Sequence, residues 1–426
     1  DDQAIIRAKS TIAYTGIGIR EITLCTELMD AEGNVVAADE MSVTVEEHSE
    51  QEYQQKMYVP NPNRWDAENP YLYTYRTYIK ENVSVIDEET GTFGIRKLQL
   101  DTKHGLRVNG KVVKLRGGCI HHDNGIIGTA EFTHSAEARV KKLKETGFNA
   151  IRSAHYPMSR KLLEACDKYG MYVMDEYSDV WVSTKVEFDY STQMTEWWEH
   201  DIENLVKKDY NHPCVIMYSI GNEIPEAGNK FDVQWGKKLA DKLRSLDDTR
   251  YTTNSLNLLL AIMNDLPKLM AQNAAAQAAA NTEKDQPQEI NSMMNNLGAM
   301  MAQFMASDFA AEKVKEACAQ VDITGYNYAA ARYEIDGKLF PNRILVGSET
   351  NPPDLDKNWE LVEKLPYVIG DFDWTAWDYI GETGIGKINY TDQQSMGFYA
   401  LYPCKIAYCG DINILGNRRP ISYWRE

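Results

Sequence analysis

Val215-Ile216-Met217-Tyr218-Ser219-Ile220-Gly221-Asn222-Glu223 is an apolar run that ends in an amide and a carboxylate. Ile344-Leu345-Val346-Gly347-Ser348-Glu349, more than one hundred residues later, is another apolar run that ends in a carboxylate, here after a serine. Apolar runs this short read as strands buried on both faces, the pattern of a parallel sheet covered by helices. A polar group at the C-terminal end of such a strand lies where an α/β barrel carries its site.

Outward from these two stretches the same rhythm recurs. Buried strands are predicted at Leu115–His121, Asn149–His155, Met171–Tyr177, Val215–Glu223, Tyr251–Asn257, Asp322–Tyr328, Ile344–Glu349 and Phe372–Asp378. Amphipathic helices fit between them, notably Ser135–Thr146, Ser159–Tyr169, Thr195–Asp209 and Val233–Leu246. Eight strands with intervening helices match a (β/α)8 TIM barrel over residues 101–426. Residues 258–318 interrupt it with an Ala-rich run, Ala274–Ala280, and a Met-rich stretch, Met293–Met305. Both compositions favour helix, so a helical insertion packed on the barrel is expected, with a lid or an oligomer contact as the sharper alternative. Residues 1–100 read differently. Alternating runs at Ile17–Cys25, Met41–Val45 and Tyr71–Ile79, with turn chemistry such as Asp30-Ala31-Glu32-Gly33-Asn34 between them, predict an immunoglobulin-like β-sandwich. That sandwich holds no catalytic cluster and reads as a packing module.

Composition narrows the function. Lys and Arg number 45 against 63 Asp and Glu, a net charge of −18. Nucleic acid and anionic membranes are poor partners for such a chain, whereas a local pocket can still oppose the global charge. Cys25, Cys119, Cys166, Cys214, Cys318, Cys404 and Cys409 are odd in number and form no Cys-x-x-Cys pair, so reduced thiols are expected. No apolar run is long enough for a membrane span. The lack of a signal segment favours the cytoplasm, although the opening Asp1-Asp2-Gln3 reads as a truncated N-terminus.

The candidate site residues all fall near predicted strand ends. Glu223 could act as a general acid if partial burial keeps its carboxyl protonated, and Asn222 beside it could donate its amide to a hydroxyl. Glu349 would act as a nucleophile only if ionised, which requires donors such as Arg152 and Tyr328 nearby. His121, His122 and His155 follow the first two strands, and Trp374 lies in the aromatic run of the eighth. Singly, each has an ordinary reading: an exposed Asn-Glu loop, a structural arginine, a packed histidine or tryptophan. Convergence on one barrel face is what favours a site. No His-x-His or His-Glu-x-x-His spacing supports a metal, and no P-loop or Gly-x-Ser-x-Gly elbow occurs. Two carboxylates are the minimal equipment for breaking a glycosidic bond, and for retention they stand roughly 5–5.5 Å apart.

Several motifs carry a more specific resemblance. Phe93-Gly94-Ile95-Arg96, Lys114-Leu115-Arg116-Gly117-Gly118-Cys119-Ile120-His121-His122-Asp123, Gly147–Pro157, Gly221-Asn222-Glu223 and Trp374-Thr375-Ala376-Trp377-Asp378-Tyr379 closely resemble the β-galactosidase/β-glucuronidase family, glycoside hydrolase family two. The resemblance covers nearly the whole chain and implies a retaining exo-β-glycosidase acting on a terminal β-linked sugar. By position, Glu223 matches the acid/base and Glu349 the nucleophile. His121, His155, Asn222 and Tyr328 match residues around the first-subsite sugar, Trp374 an aromatic wall and Arg152 the arginine beside the nucleophile. The family's N-terminal jelly-roll domain is missing, and the chain stops at Tyr423-Trp424-Arg425-Glu426, in what reads as the last barrel helix. Asp175–Trp181 lacks the Glu-x-His of the magnesium-dependent galactosidases, so no metal or other cofactor is expected. The Asn-x-Lys of the glucuronidases is not seen after strand eight, which places β-galactosidase ahead of β-glucuronidase or another β-glycosidase of the family. A saccharide-binding barrel without turnover is the opposed reading.

Overall fold

Alternating apolar and polar side chains build the first of two units in the protein, a computed structural model that describes residues 2–262, 265, 304–386 and 402–425. This unit comprises Asp1–Lys97 with the short segments Cys166–Gly170 and Tyr210–Cys214. Strands β1 (Gln3–Tyr14) and β4 (Ser49–Pro60) pair antiparallel along their whole length. Strands β2 (Arg20–Met29), β3 (Val35–Val45), β5 (Tyr73–Glu81) and β6 (Ser84–Phe93) form a second sheet in the order β3-β2-β5-β6. Ile12 from the first sheet packs with Ile22, Leu24, Val43 and Val45 of the second. Met57 and Val59 do the same with Leu28 and Tyr73. The two sheets therefore face each other as a sandwich, and emptying that interface by Leu24→Ala would cost about 2–5 kcal/mol.

The second unit opens with a small antiparallel meander, β7 (Leu98–Asp101), β8 (Gly105–Val108) and β9 (Lys111–Val112). Eight parallel strands follow: β10 (Leu115–Ile120), β11 (Ala150–Ser153), β12 (Tyr172–Glu176), β13 (Val215–Asn222), β14 (Tyr251–Ser255), β15 (Thr324–Asn327), β16 (Leu345–Thr350) and β17 (Val368–Asp373). They hydrogen-bond in the order β14-β13-β12-β11-β10-β17-β16-β15. Between the two ends of that series, isolated parallel bridges at Thr253–Ile323 and Leu256–Tyr326 close the barrel. Nearly every strand residue is buried, as expected of strands covered on both faces. Gly117 and Gly118 are required by this packing: a Cβ at Gly117 would lie 2.2 Å from the Phe372 ring, and one at Gly118 would lie 2.4 Å from Ala376 Cβ.

Observed strands mostly stop one or two residues short of the expected ends, where the chain begins to turn. Strand eight differs more. It runs over Val368–Asp373, pairing Leu115 with Gly370 and Gly117 with Phe372. The aromatic run after it has strand-like composition, but its backbone bonds across the barrel mouth: Trp374 N donates to Thr350 O and Ala376 N to Cys119 O. The C-terminal helix is also corrected. Pro420–Arg425 is a 3-10 turn, tightened by the bond from Ser422 N to Arg419 O, and not an α-helix. Leu258–Ala261 and Asp308–Ala319 are helical, whereas the bulk of the expected insertion at 258–318 lies outside the described residues.

Candidate active site

The strand ends converge on a polar network whose hub is Arg152, at the end of β11 and fully buried. Its Nη1 donates to Glu349 Oε1 at 2.8 Å and to the Ser348 carbonyl at 3.0 Å. Its Nη2 donates to Glu176 Oε2 at 2.7 Å and to Asn222 Oδ1 at 2.8 Å. Glu176, the last residue of β12, also accepts from Arg152 Nε at 3.1 Å and from Ser219 Oγ at 2.7 Å. Its other oxygen lies 2.8 Å from His155 Nδ1. Burial alone would push the Glu176 carboxyl up, yet Arg152 and His155 hold it down at about 2. A carboxylate facing Nδ1 places the ring proton there, leaving His155 Nε2 3.7 Å from Glu349 Oε1.

Glu223 leaves β13 in the left-handed region, φ +46°, and its N–H donates to Ser255 O at 2.7 Å. Tyr328 leaves β15 in the same region, φ +57°, and its N–H donates to Glu349 O at 2.8 Å. Such backbone costs about 1–3 kcal/mol per residue and persists only where its surroundings enforce it. Here it turns two polar side chains across the strand ends. Asn257 Nδ2 donates to Glu223 Oε1 at 2.7 Å, and Asn327 Nδ2 reaches the same oxygen at 3.2 Å. Asn222 is tied on both sides: its Oδ1 accepts from Arg152 and Asn327, and its Nδ2 donates to Asp179 Oδ1 at 3.0 Å.

Glu349 is buried, and burial pushes its carboxyl above the ordinary 4.5; Arg152, His155 and a hydrogen bond from Tyr328 pull it down, while Glu223 adds to the rise. The expected donors are present, but burial outweighs them. Tyr328 stays protonated because burial raises its hydroxyl, with Glu349 adding to the effect. Any activity that needs ionised Glu349 should therefore fall as pH drops through a value above 4.5. A pH profile of kcat/KM whose acidic limb lies at or below 4.5 would contradict this.

Aromatic rings line the network. Trp374 stacks parallel to His155 at 5.1 Å between centroids and meets His121 edge-on at 5.3 Å. Tyr379 stacks on His121 at 4.2 Å and accepts from Trp374 Nε1 at 3.2 Å. Burial, with the nearby His155 and His122 adding, holds His121 neutral by lowering it to about 3. Its Nε2 is buried without a partner among the described residues.

All eight expected residues, His121, Arg152, His155, Asn222, Glu223, Tyr328, Glu349 and Trp374, thus belong to one connected cluster. Sequence reasoning missed Glu176, Asn257, Asn327 and Tyr379. Position held a signal for three of them: Glu176, Asn257 and Asn327 are polar residues at or near the ends of predicted strands, as Glu223 is.

A closed parallel barrel with two carboxylates among the polar residues at its strand ends is compatible with glycoside cleavage, a reaction that needs such a pair. Residues 100–316 match the family model described as glycosyl hydrolases family 2, TIM barrel domain, and residues 1–96 match the model described as glycosyl hydrolases family 2. The chain belongs to glycoside hydrolase family 2. A protein named β-galactosidase from Bacteroides ovatus is 37% identical over 254 residues, 60% of this chain and 29% of that one. A putative β-glucuronidase from Formosa agariphila is 28% identical over 369 residues, 84% of this chain and 34% of that one. A crystal structure of a glycosyl hydrolase family 2 member from Bacteroides cellulosilyticus superposes on the whole chain with a TM-score of 0.82 at 34% identity. The chain spans 48% of that structure, and about a third or less of the two named relatives.

Proposed function

We propose that the chain carries the catalytic barrel of a retaining exo-β-glycosidase, with β-galactosides as the preferred substrates. The observation that carries this is the unequal treatment of two strand-end glutamates: Glu349 is held by Arg152 and Tyr328, Glu223 by two neutral amides. Glu349 attacks the anomeric carbon and displaces the aglycone while Glu223 protonates the departing oxygen. Glu223 then takes a proton from the water that opens the glycosyl-enzyme. Arg152 aligns Glu349, Tyr328 donates to it, and neutral His121, with an unused ring nitrogen, suits a sugar hydroxyl. Trp374 supplies the apolar wall.

A neutral sugar is favoured by the local charge. Glu382, bonded to the Tyr379 hydroxyl, has its carboxyl raised by burial against the opposing pull of His155, and Glu223 and Asp179 add to the rise, so three acidic groups lie on this side. Lys185 is already held by Asp179 at 2.9 Å and by Asn222 O at 2.7 Å. A uronate would add another negative charge here, which costs affinity. The β-glucuronidase alternative rests on the relative from Formosa agariphila.

A panel of nitrophenyl glycosides separates these readings, applied to this chain and to the full-length protein. Faster release from the β-galactoside than from the β-glucuronide, with β-galactose as first product, is expected. Preference for the glucuronide would reverse the substrate, α-configured product would exclude retention, and no turnover by either protein would leave a binding barrel.

A further inference from the structure

We propose that Asn257 and Asn327 are positioning residues that confine the catalytic proton of Glu223 to Oε2. This rests on the assignment of Glu223 as acid/base. Both amides donate to Oε1, at 2.7 and 3.2 Å, and neither donates to Oε2. An oxygen that accepts two N–H bonds serves as the carbonyl oxygen of a protonated carboxyl, because placing O–H there would set donor against donor. The proton is then left on Oε2.

The direction of each amide is set independently. Asn257 Oδ1 accepts from Leu259 N at 3.0 Å, capping the turn that follows, so its Nδ2 must point the other way. Asn327 Oδ1 accepts from Ser348 Oγ at 2.7 Å, and its Nδ2 also serves Asn222 Oδ1 at 3.0 Å. Asn222 Oδ1 is in turn an acceptor because Arg152, which has no acceptor, binds it at 2.8 Å. The buried cation thus orients Asn222 and Asn327 in series, the turn at Leu259 orients Asn257, and the two amides meet on one oxygen of Glu223. In the first step that oxygen spacing delivers the Oε2 proton to the leaving group; in the second, Oε2 takes one proton back from water.

The test compares kcat/KM for phenyl, 4-nitrophenyl and 2,4-dinitrophenyl glycosides in the full-length protein. Asn257→Ser keeps a capping oxygen but removes the amide; Asn327→Ala removes the second donor. Each is expected to slow the phenyl glycoside on the order of tenfold or more, a part of what general acid catalysis supplies, and to leave the dinitrophenyl glycoside nearly unchanged. In a Glu223→Ala background the same substitutions should add no further leaving-group dependence. An equal loss across the series, or no loss, overturns the inference while Glu223→Ala alone still discriminates between leaving groups. If Glu223→Ala does not discriminate, the acid/base assignment itself falls, and this inference with it.

Discussion

Supplied with sodium azide, the full-length protein carrying Glu223→Ala is expected to release a β-glycosyl azide, and the one carrying Glu349→Ala an α-azide. Removal of Glu349 takes away the atom that forms the glycosyl-enzyme, so hydrolysis should nearly vanish for every leaving group. Azide can then enter only by direct displacement, which inverts the anomeric centre. Removal of Glu223 leaves that intermediate accessible whenever the leaving group needs no proton. Azide fills the space on the same face that water would use, and two inversions give net retention. For a phenyl glycoside the loss in Glu223→Ala should be about 10²–10⁴-fold. The opposite pair of azides would exchange the two roles, and near-normal rates in both variants would end the glycosidase reading.

Glu176→Ala should cause a large loss of stability. Glu176 and Arg152 are both fully buried and joined through two guanidinium nitrogens. Deleting Glu176 takes one of two buried carboxylates from Arg152 and the acceptor from its Nε, leaving Glu349 as the remaining counter-charge, so a loss of about 3 kcal/mol, the low end for a broken buried pair, is expected. The pH dependence gives the sign. Because the folded carboxyl is lowered from 4.5 to about 2, its contribution is complete above 4.5 and is lost as pH falls toward 2. Thermal unfolding of both proteins should therefore show a gap in melting temperature that is widest near neutral pH and narrows in acid. A gap that widens in acid, or a variant as stable as the parent at neutral pH, would show that Glu176 does not anchor Arg152. The same variant should lose turnover, since Arg152 would no longer be aimed at Glu349.

The barrel and the two strand-end glutamates were legible because buried strands announce themselves twice, by apolar runs and by the polar residue that ends each run. Val215–Asn222 and Leu345–Thr350 are of this kind. Strand eight was displaced because Phe372, Trp374 and Trp377 have the composition of a strand, while Gly117 and Gly118 can accommodate only the residues actually facing them. Glu176 was passed over for a related reason. Its stretch carries no metal-ligand spacing, and a carboxylate that binds an arginine inside a barrel leaves no local pattern in the sequence. The amides were hidden because hydrogen-bond direction is a property of assembled side chains: nothing adjacent to Asn257 or Asn327 in the chain says that both will meet Glu223.

The closing bridges between β14 and β15 have a consequence for how activity and folding are coupled. Leu256 and Tyr326, the last bridged pair, are followed directly by Asn257 and Asn327. The two hands that hold Glu223 are thus mounted on opposite lips of the barrel's seam, and the chain between those lips is its longest excursion between successive strands. Arg152, Glu176 and Asn222 stand on β11, β12 and β13, which pair consecutively and need no such closure. A barrel open at this seam would keep its buried cation in place and still lack a gripped acid. On the proposed assignment of Glu223 as the acid, its two amide donors are in place only where the lips meet.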